Sequence, residues 1–230
     1  MALILLTELR YESFTPNPIR LPPGYPSARH RHTNEKAQLL IHISIFATLQ
    51  CLPQIAPVKA LGVLFTIWNI WTAWELILRY RTSPPLFGPI YTADSLAGFW
   101  TETWHNAFAS PCYSLAYTPT YFLLSKLGVP RTVGRAAAVV GGFAVMAVFH
   151  MYALSPLMDG EGLRRVGVFF LGNGVMTVVE AGAWGRKKHW VRMTVAWVLE
   201  LGVASWAVEA FDLPDGLWVA DWKGLCRPKR

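Results

Sequence analysis

The sequence predicts an all-α, polytopic integral membrane helical bundle of five or six spans, with an amphipathic helix at the membrane surface. Three observations carry this expectation. Only 15% of the 230 residues are Asp, Glu, Lys or Arg, against about 25% in an ordinary soluble domain. Hydrophobic residues make up 53%, including 11 Trp, 12 Phe and 8 Tyr, a composition that excludes a disordered chain. The apolar residues are also gathered into segments of about 20, the length that crosses a hydrocarbon core of about 30 Å. Mean hydropathy is only +0.31 because a polar start is averaged with a far more apolar remainder.

Residues 1–36 read as a polar, Pro-rich lead-in, where Pro16, Pro18, Pro22, Pro23 and Pro26 stand among Arg and His. Proline at that density excludes a helix. The apolar stretch before Glu8 is too short for a signal peptide. Residues 37–213 read as the membrane domain. Segment 38–52 is apolar but short, and Pro53 and Pro57 punctuate its end. Segments 60–78, 136–158, 166–184 and 193–211 hold 19, 23, 19 and 19 residues, with at most two formal charges in each. Segment 112–127 is apolar but carries Pro119 and Lys126, so spanning and re-entrant forms both stay open. Every span is expected to be helical, since a lone segment in lipid must satisfy its own backbone. Residues 214–230 form a basic C-terminal tail.

A net charge of +7 raises nucleic acid as a partner, but no basic stripe carries interleaved stacking aromatics, so none is expected. Clusters such as Arg164-Arg165 and Arg186-Lys187-Lys188 fall between apolar segments. That is the positive-inside pattern, and it puts the lead-in on the cytoplasmic side. Cys51, Cys112 and Cys226 are far apart without a CxxC, which argues against a zinc ribbon or a disulfide framework. His30 and His32 lack a third ligand at metal spacing, so no metal site is expected. The absence of HExxH, GxSxG and P-loop patterns argues against common protease, hydrolase and ATPase chemistries. With no internal repeat, an inverted-repeat transporter has no support.

Between segments 60–78 and 112–127 lies the most unusual stretch, residues 79–111. Asp94 is a plausible N-cap, and Leu96, Phe99, Trp100, Trp104 and Phe108 then recur at helical spacing. Thr101, Glu102, His105 and Asn106 lie beside or opposite that stripe, so residues 94–108 are expected to form an amphipathic helix on the membrane surface. His150 stands in the uncharged segment 136–158, three residues past its midpoint. An ionisable residue at that depth normally faces a bundle interior or a wet cavity, and Gly141, Gly142, Ala144 and Ala147 would let neighbouring helices approach. A core histidine donating one interhelical hydrogen bond is the plainer alternative. Glu200 lies mid-span and needs a partner, with a histidine or arginine from a neighbouring helix expected. Glu180 and Glu209, near segment ends, read as structural.

Ser95-Leu96-x-x-Phe99-Trp100 leading into Trp104-His105-Asn106, with a lone histidine in an apolar span 45 residues after His105, resembles the membrane-bound O-acyltransferase superfamily. The nearer likeness is to its wax-synthase-like branch, which includes acetyltransferases of fungal terpenoid pathways, and it extends over about residues 79–211. The resemblance implies an acyltransferase of a multi-pass membrane, the endoplasmic reticulum. It implies transfer of an acyl group, acetyl in that branch, from acyl-CoA to a hydroxyl of a hydrophobic alcohol such as a terpenoid. Acyl-CoA is a co-substrate there, and no other cofactor is implied. The implied catalytic residues are His150 as general base, with His105 and Asn106 at its polar partner motif. Trp100 and Trp104 are candidates for lining the substrate site, and Arg79 and Arg81, alongside Arg131 and Arg135, for meeting the CoA phosphates. The chain departs from the family pattern in having Thr101-Glu102-Thr103 between the tryptophans and Met151-Tyr152 after His150. The alternative function is a non-catalytic or truncated bundle that binds a lipid or a partner protein.

Overall fold

Prolines and polar caps set where the helices start. In the computed structural model, residues 34–78, 87–104, 109–185 and 189–211 are described, and no strand occurs among them. Helix α1 (Glu35–Gln50) opens on Asn34, whose side chain accepts the Ala37 N–H at 3.3 Å. Helix α2 (Ala56–Leu78) carries Pro57 in its first turn, where a missing N–H is harmless. A 3₁₀ turn (Ile90–Thr92) leads to the one-turn helix α3 (Leu96–Gly98) and a π turn (Phe99–Thr103). Helix α4 (Ala109–Cys112) runs through a second π turn (Tyr113–Tyr117) into α5 (Thr118–Lys126). The widened turn holds Leu115, the residue whose carbonyl the Pro119 ring would otherwise strike, so the π turn accommodates the proline. Three long helices follow: α6 (Arg131–Leu154), α7 (Gly160–Trp184) and α8 (Trp190–Val208). Asp159 caps α7 through a 2.8 Å bond from the Gly162 N–H, and the His189 ring caps α8.

Among the described residues, four helices are long and apolar enough to cross a membrane: Ala56–Ile77, Arg131–Leu154, Gly160–Trp184 and Trp190–Val208. They match the four long segments of the sequence and make the protein an all-α polytopic membrane bundle. Helix α1, at 16 residues, reaches about 24 Å and falls short of a full crossing. The second of these spans, α6, differs in register from the expected 136–158. It starts after Pro130 and ends at Leu154, because the chain must reverse before the Asp159 cap of α7.

Small residues draw α6 and α7 together. A Cβ added at Gly174 would stand 2.8 Å from Cβ of Phe143, and one at Gly167 would stand 2.7 Å from Sδ of Met151. Backbone approach of this kind is how helices associate in lipid, where no hydrophobic drive separates side chains from tails. Leu115, Phe122, Val148, Val179 and Val198 point outward and stay exposed, which suits hydrocarbon and not water. The protein is therefore expected to remain with membranes through carbonate and high-salt washes and to need detergent for release. Recovery as a monodisperse species without detergent would contradict this architecture.

The segment expected as one surface helix over 94–108 is different. Its two-sidedness holds, with Leu96 and Phe99 buried and Thr101 and Glu102 exposed. Yet α3 and its π turn end at Trp104, whose extended backbone breaks the helix after a 2.7 Å bond from its N–H to the Phe99 carbonyl. The apolar side docks on α7 and α8 rather than lying on lipid. Polar anchors from those two helices, described next, are the reason.

Candidate active site

Two buried polar stripes organise the interior. On α7, Asn173, Thr177 and Glu180 follow one face at spacings of four and three, all buried. On α8, Arg192 and Glu200 stand two turns apart on the buried face, with buried Ala196 between them. The stripes meet at one end in an ion pair, Arg192 Nη2 to Glu180 Oε2 at 3.1 Å, with side chains only 6% and 4% exposed. The same carboxylate accepts the backbone N–H of Leu96 at 3.0 Å and of Ala97 at 3.3 Å. Glu180 thus satisfies the orphan donors at the start of α3, which no other turn of helix can reach. The Ser95 hydroxyl accepts the Gly98 N–H at 2.9 Å and completes the cap.

Near mid-membrane a second knot forms. Trp100 Nε1–H donates to Asn173 Oδ1 at 3.2 Å, and Asn173 Nδ2–H donates to the Phe169 carbonyl at 3.1 Å. The Glu200 carboxyl is buried on the inner face of α8, and its Oε2 has no hydrogen-bond partner among the described residues, so the histidine or arginine expected from the sequence does not meet it. Glu180, read from the sequence as structural, is buried on Arg192. Glu209 does lie toward the surface, 3.8 Å from Arg165.

His150 sits one turn from the end of α6 and is half-buried. The helix midpoint lies near residue 142, so the imidazole is about 11 Å along the axis from the centre. It is nearer one membrane face than the sequence suggested. Its Nδ1 lies 2.8 Å from the Met146 carbonyl. A carbonyl only accepts, so Nδ1 carries the proton and the lone pair is on Nε2. The ring stacks on Phe170 of α7 with centroids 4.2 Å apart. Trp100 reaches the same Phe170 at 5.9 Å, and also packs on Phe143 and Phe169 at 5.4 and 6.1 Å. The fold thereby brings Trp100 and His150, 50 residues apart, onto one phenyl ring.

His42 is the second histidine of the interior. It bonds through Nδ1 to the carbonyl four residues back, Gln38 at 2.8 Å. Its Nε2 accepts the Ile90 N–H at 3.4 Å, and it stacks on Trp68 at 3.6 Å while wholly buried. Both nitrogens are committed to the fold, so His42 is a structural histidine. Trp104 belongs to that same cluster, stacked on Phe99 at 5.7 Å and edge-on to Phe87 at 5.2 Å. The other expected site residues, His105, Asn106, Arg79 and Arg81, lie outside the described residues. Among the described residues no group of His, Cys, Asp and Glu is arranged to hold a metal ion.

Residues 83–172 match the model of the membrane bound O-acyl transferase family. This O-acyltransferase match takes in Trp100, Trp104, His105, Asn106 and His150, and supports acyl transfer in general terms. It covers less than half of the chain and stops before Asn173, Glu180, Arg192 and Glu200. No curated protein matches the chain, and no solved structure does. Asn173 and Arg192 were not among the site residues expected from the sequence. A signal was there in the spacing of Asn173, Thr177 and Glu180 on one helical face, polar groups in line within an apolar span.

Proposed function

We infer that the protein moves an acyl group from acyl-CoA to the hydroxyl of a hydrophobic alcohol, with His150 as general base. The observation that carries the reading is the family match spanning a histidine whose Nδ1 is tied to a carbonyl, which leaves Nε2 as the basic nitrogen. Nε2 takes the hydroxyl proton as the alcohol oxygen attacks the thioester carbonyl carbon. The tetrahedral intermediate collapses, the C–S bond breaks, and the departing CoA sulfur recovers the proton from Nε2. A general base in this role contributes about 10²- to 10⁴-fold in rate. Holding thioester and alcohol together contributes through orientation.

In this proposal Trp100 lines the substrate site across Phe170 from His150, and Trp104, packed on Phe99 and Phe87, backs that wall. His105 and Asn106 polarise the thioester carbonyl or orient His150, and Arg79 and Arg81 meet the CoA phosphates. The sequence likeness to the wax-synthase-like branch favours an acetyl donor, a terpenoid-like acceptor and the endoplasmic reticulum. Microsomes holding the protein, supplied with labelled acetyl-CoA or long-chain acyl-CoA and a panel of hydrophobic alcohols, test this. An ester that forms only with both substrates present is the expected result. Binding of lipid without ester formation from any pair would favour the non-catalytic bundle.

A further inference from the structure

A charged side chain stands exposed at a depth where lipid does not tolerate one. The start of α3 is held by Glu180, the twenty-first of 25 residues in α7, and Trp100 is bonded to Asn173, the fourteenth. Residues 96–104 thus run inward from the Trp184 end of α7 to about mid-membrane. Residues 112–121 run back. Cys112 lies beside Gly142, the twelfth of 24 residues in α6, and Tyr121 beside Gly134, the fourth. The packing of Gly174 on Phe143 and of Gly167 on Met151 makes α6 and α7 antiparallel, so both pieces start and finish at one membrane face. Glu102 follows Trp100 by two residues, about 3 Å along a helix axis, and shares its depth. It is exposed and meets no cation among the described residues.

Two independent features say what surrounds it. A carboxylate at mid-membrane faces a bundle interior or a water-filled cavity, and Glu102 is not interior. Helical structure also ends there, where Trp104 turns to extended backbone with φ −87° and ψ 167°. Non-helical backbone at such depth occurs only inside protein or along a water-filled cavity. Outward side chains of α7 at this level, such as Leu171 and Val175, are hydrocarbon. The Trp100 indole packs toward Phe143, Phe169 and Phe170, and a residue two positions on points to the other side of the turn. We propose that Thr101 and Glu102 line a water-filled vestibule that reaches mid-membrane on the side of the turn away from the Trp100 indole. The Glu102 carboxylate suits a neutral or cationic polar solute there and opposes anions such as the phosphates of CoA. The vestibule stands whether or not His150 is the base.

The test places single cysteines in full-length protein that carries Cys51→Ser, Cys112→Ala and Cys226→Ser, held in phosphatidylcholine nanodiscs open on both faces. Thr101→Cys and Glu102→Cys are expected to react with membrane-impermeant methanethiosulfonates at least about 100-fold faster than Val175→Cys, since a thiol in hydrocarbon does not ionise. At low salt a cationic reagent should modify Thr101→Cys about 10-fold faster than an anionic one, the effect of a unit charge a few ångströms away in water. That preference should vanish when Glu102→Gln is added. Locating the modified residue by mass spectrometry gives the same rates with the three native cysteines kept, should their removal disturb folding. Both cysteines reacting as slowly as Val175→Cys overturns the vestibule. Equal rates for the two reagents with Glu102 in place, or a cationic preference that survives Glu102→Gln, overturns the role given to its charge.

Discussion

Replacing His150 by alanine lowers acyl transfer by about two to four orders of magnitude, with expression and insertion close to normal. Alanine is the best helix former and is at home in lipid, so α6 survives the change. The ring is half-buried, bonds to the Met146 carbonyl and stacks on Phe170, so the loss of turnover is read per folded molecule. His42→Ala gives the opposite pattern. It removes a wholly buried ring stacked on Trp68 and holding the Ile90 N–H, so abundance and thermal stability fall while turnover per folded molecule persists. The measurement is initial rate divided by correctly folded, detergent-solubilised protein for each variant. Turnover near wild type in His150→Ala would remove it as the base and favour a bundle without catalysis.

The second large effect is on folding. Glu180→Ala leaves the buried guanidinium of Arg192 without its carboxylate and strips the Leu96 and Ala97 N–H groups of their acceptor. Removing one member of a buried ion pair costs about 3–5 kcal/mol, and each orphaned donor adds about 1–3 kcal/mol. Arg192→Ala removes the cation but leaves the carboxylate its two backbone donors, so it destabilises less. Thermal unfolding in detergent should rank wild type above Arg192→Ala above Glu180→Ala. The reverse order would mean that the cap on α3 contributes little. Because α3 carries the turn that presents Trp100, any folded Glu180→Ala should also lose activity.

The helical membrane class was legible because it depends on one-dimensional facts. Runs of about 20 apolar residues, prolines and caps decide where a chain crosses lipid, whatever the helices later touch. The four long segments, the proline-marked break before Pro119 and the two-sided character of residues 96–102 were all readable in that way. His150 was legible as an ionisable residue in an apolar run, and the Trp-His-Asn pattern as a likeness.

What the tertiary structure alone decided is which polar group meets which. Asn173 suits many partners as far as the sequence goes; only the meeting of α7 with the Phe99–Thr103 turn brings the Trp100 indole to it at 3.2 Å. Likewise, an amphipathic run from 94 is equally suited to a lipid surface or to a bundle wall. Glu180, 84 residues on from Leu96, draws it inward by offering its carboxylate to two backbone donors that lipid leaves unsatisfied. Hydrophobicity sets depth along the membrane normal and is additive along the chain. Hydrogen bonds are directional and short, so their partners exist only once the helix faces have met.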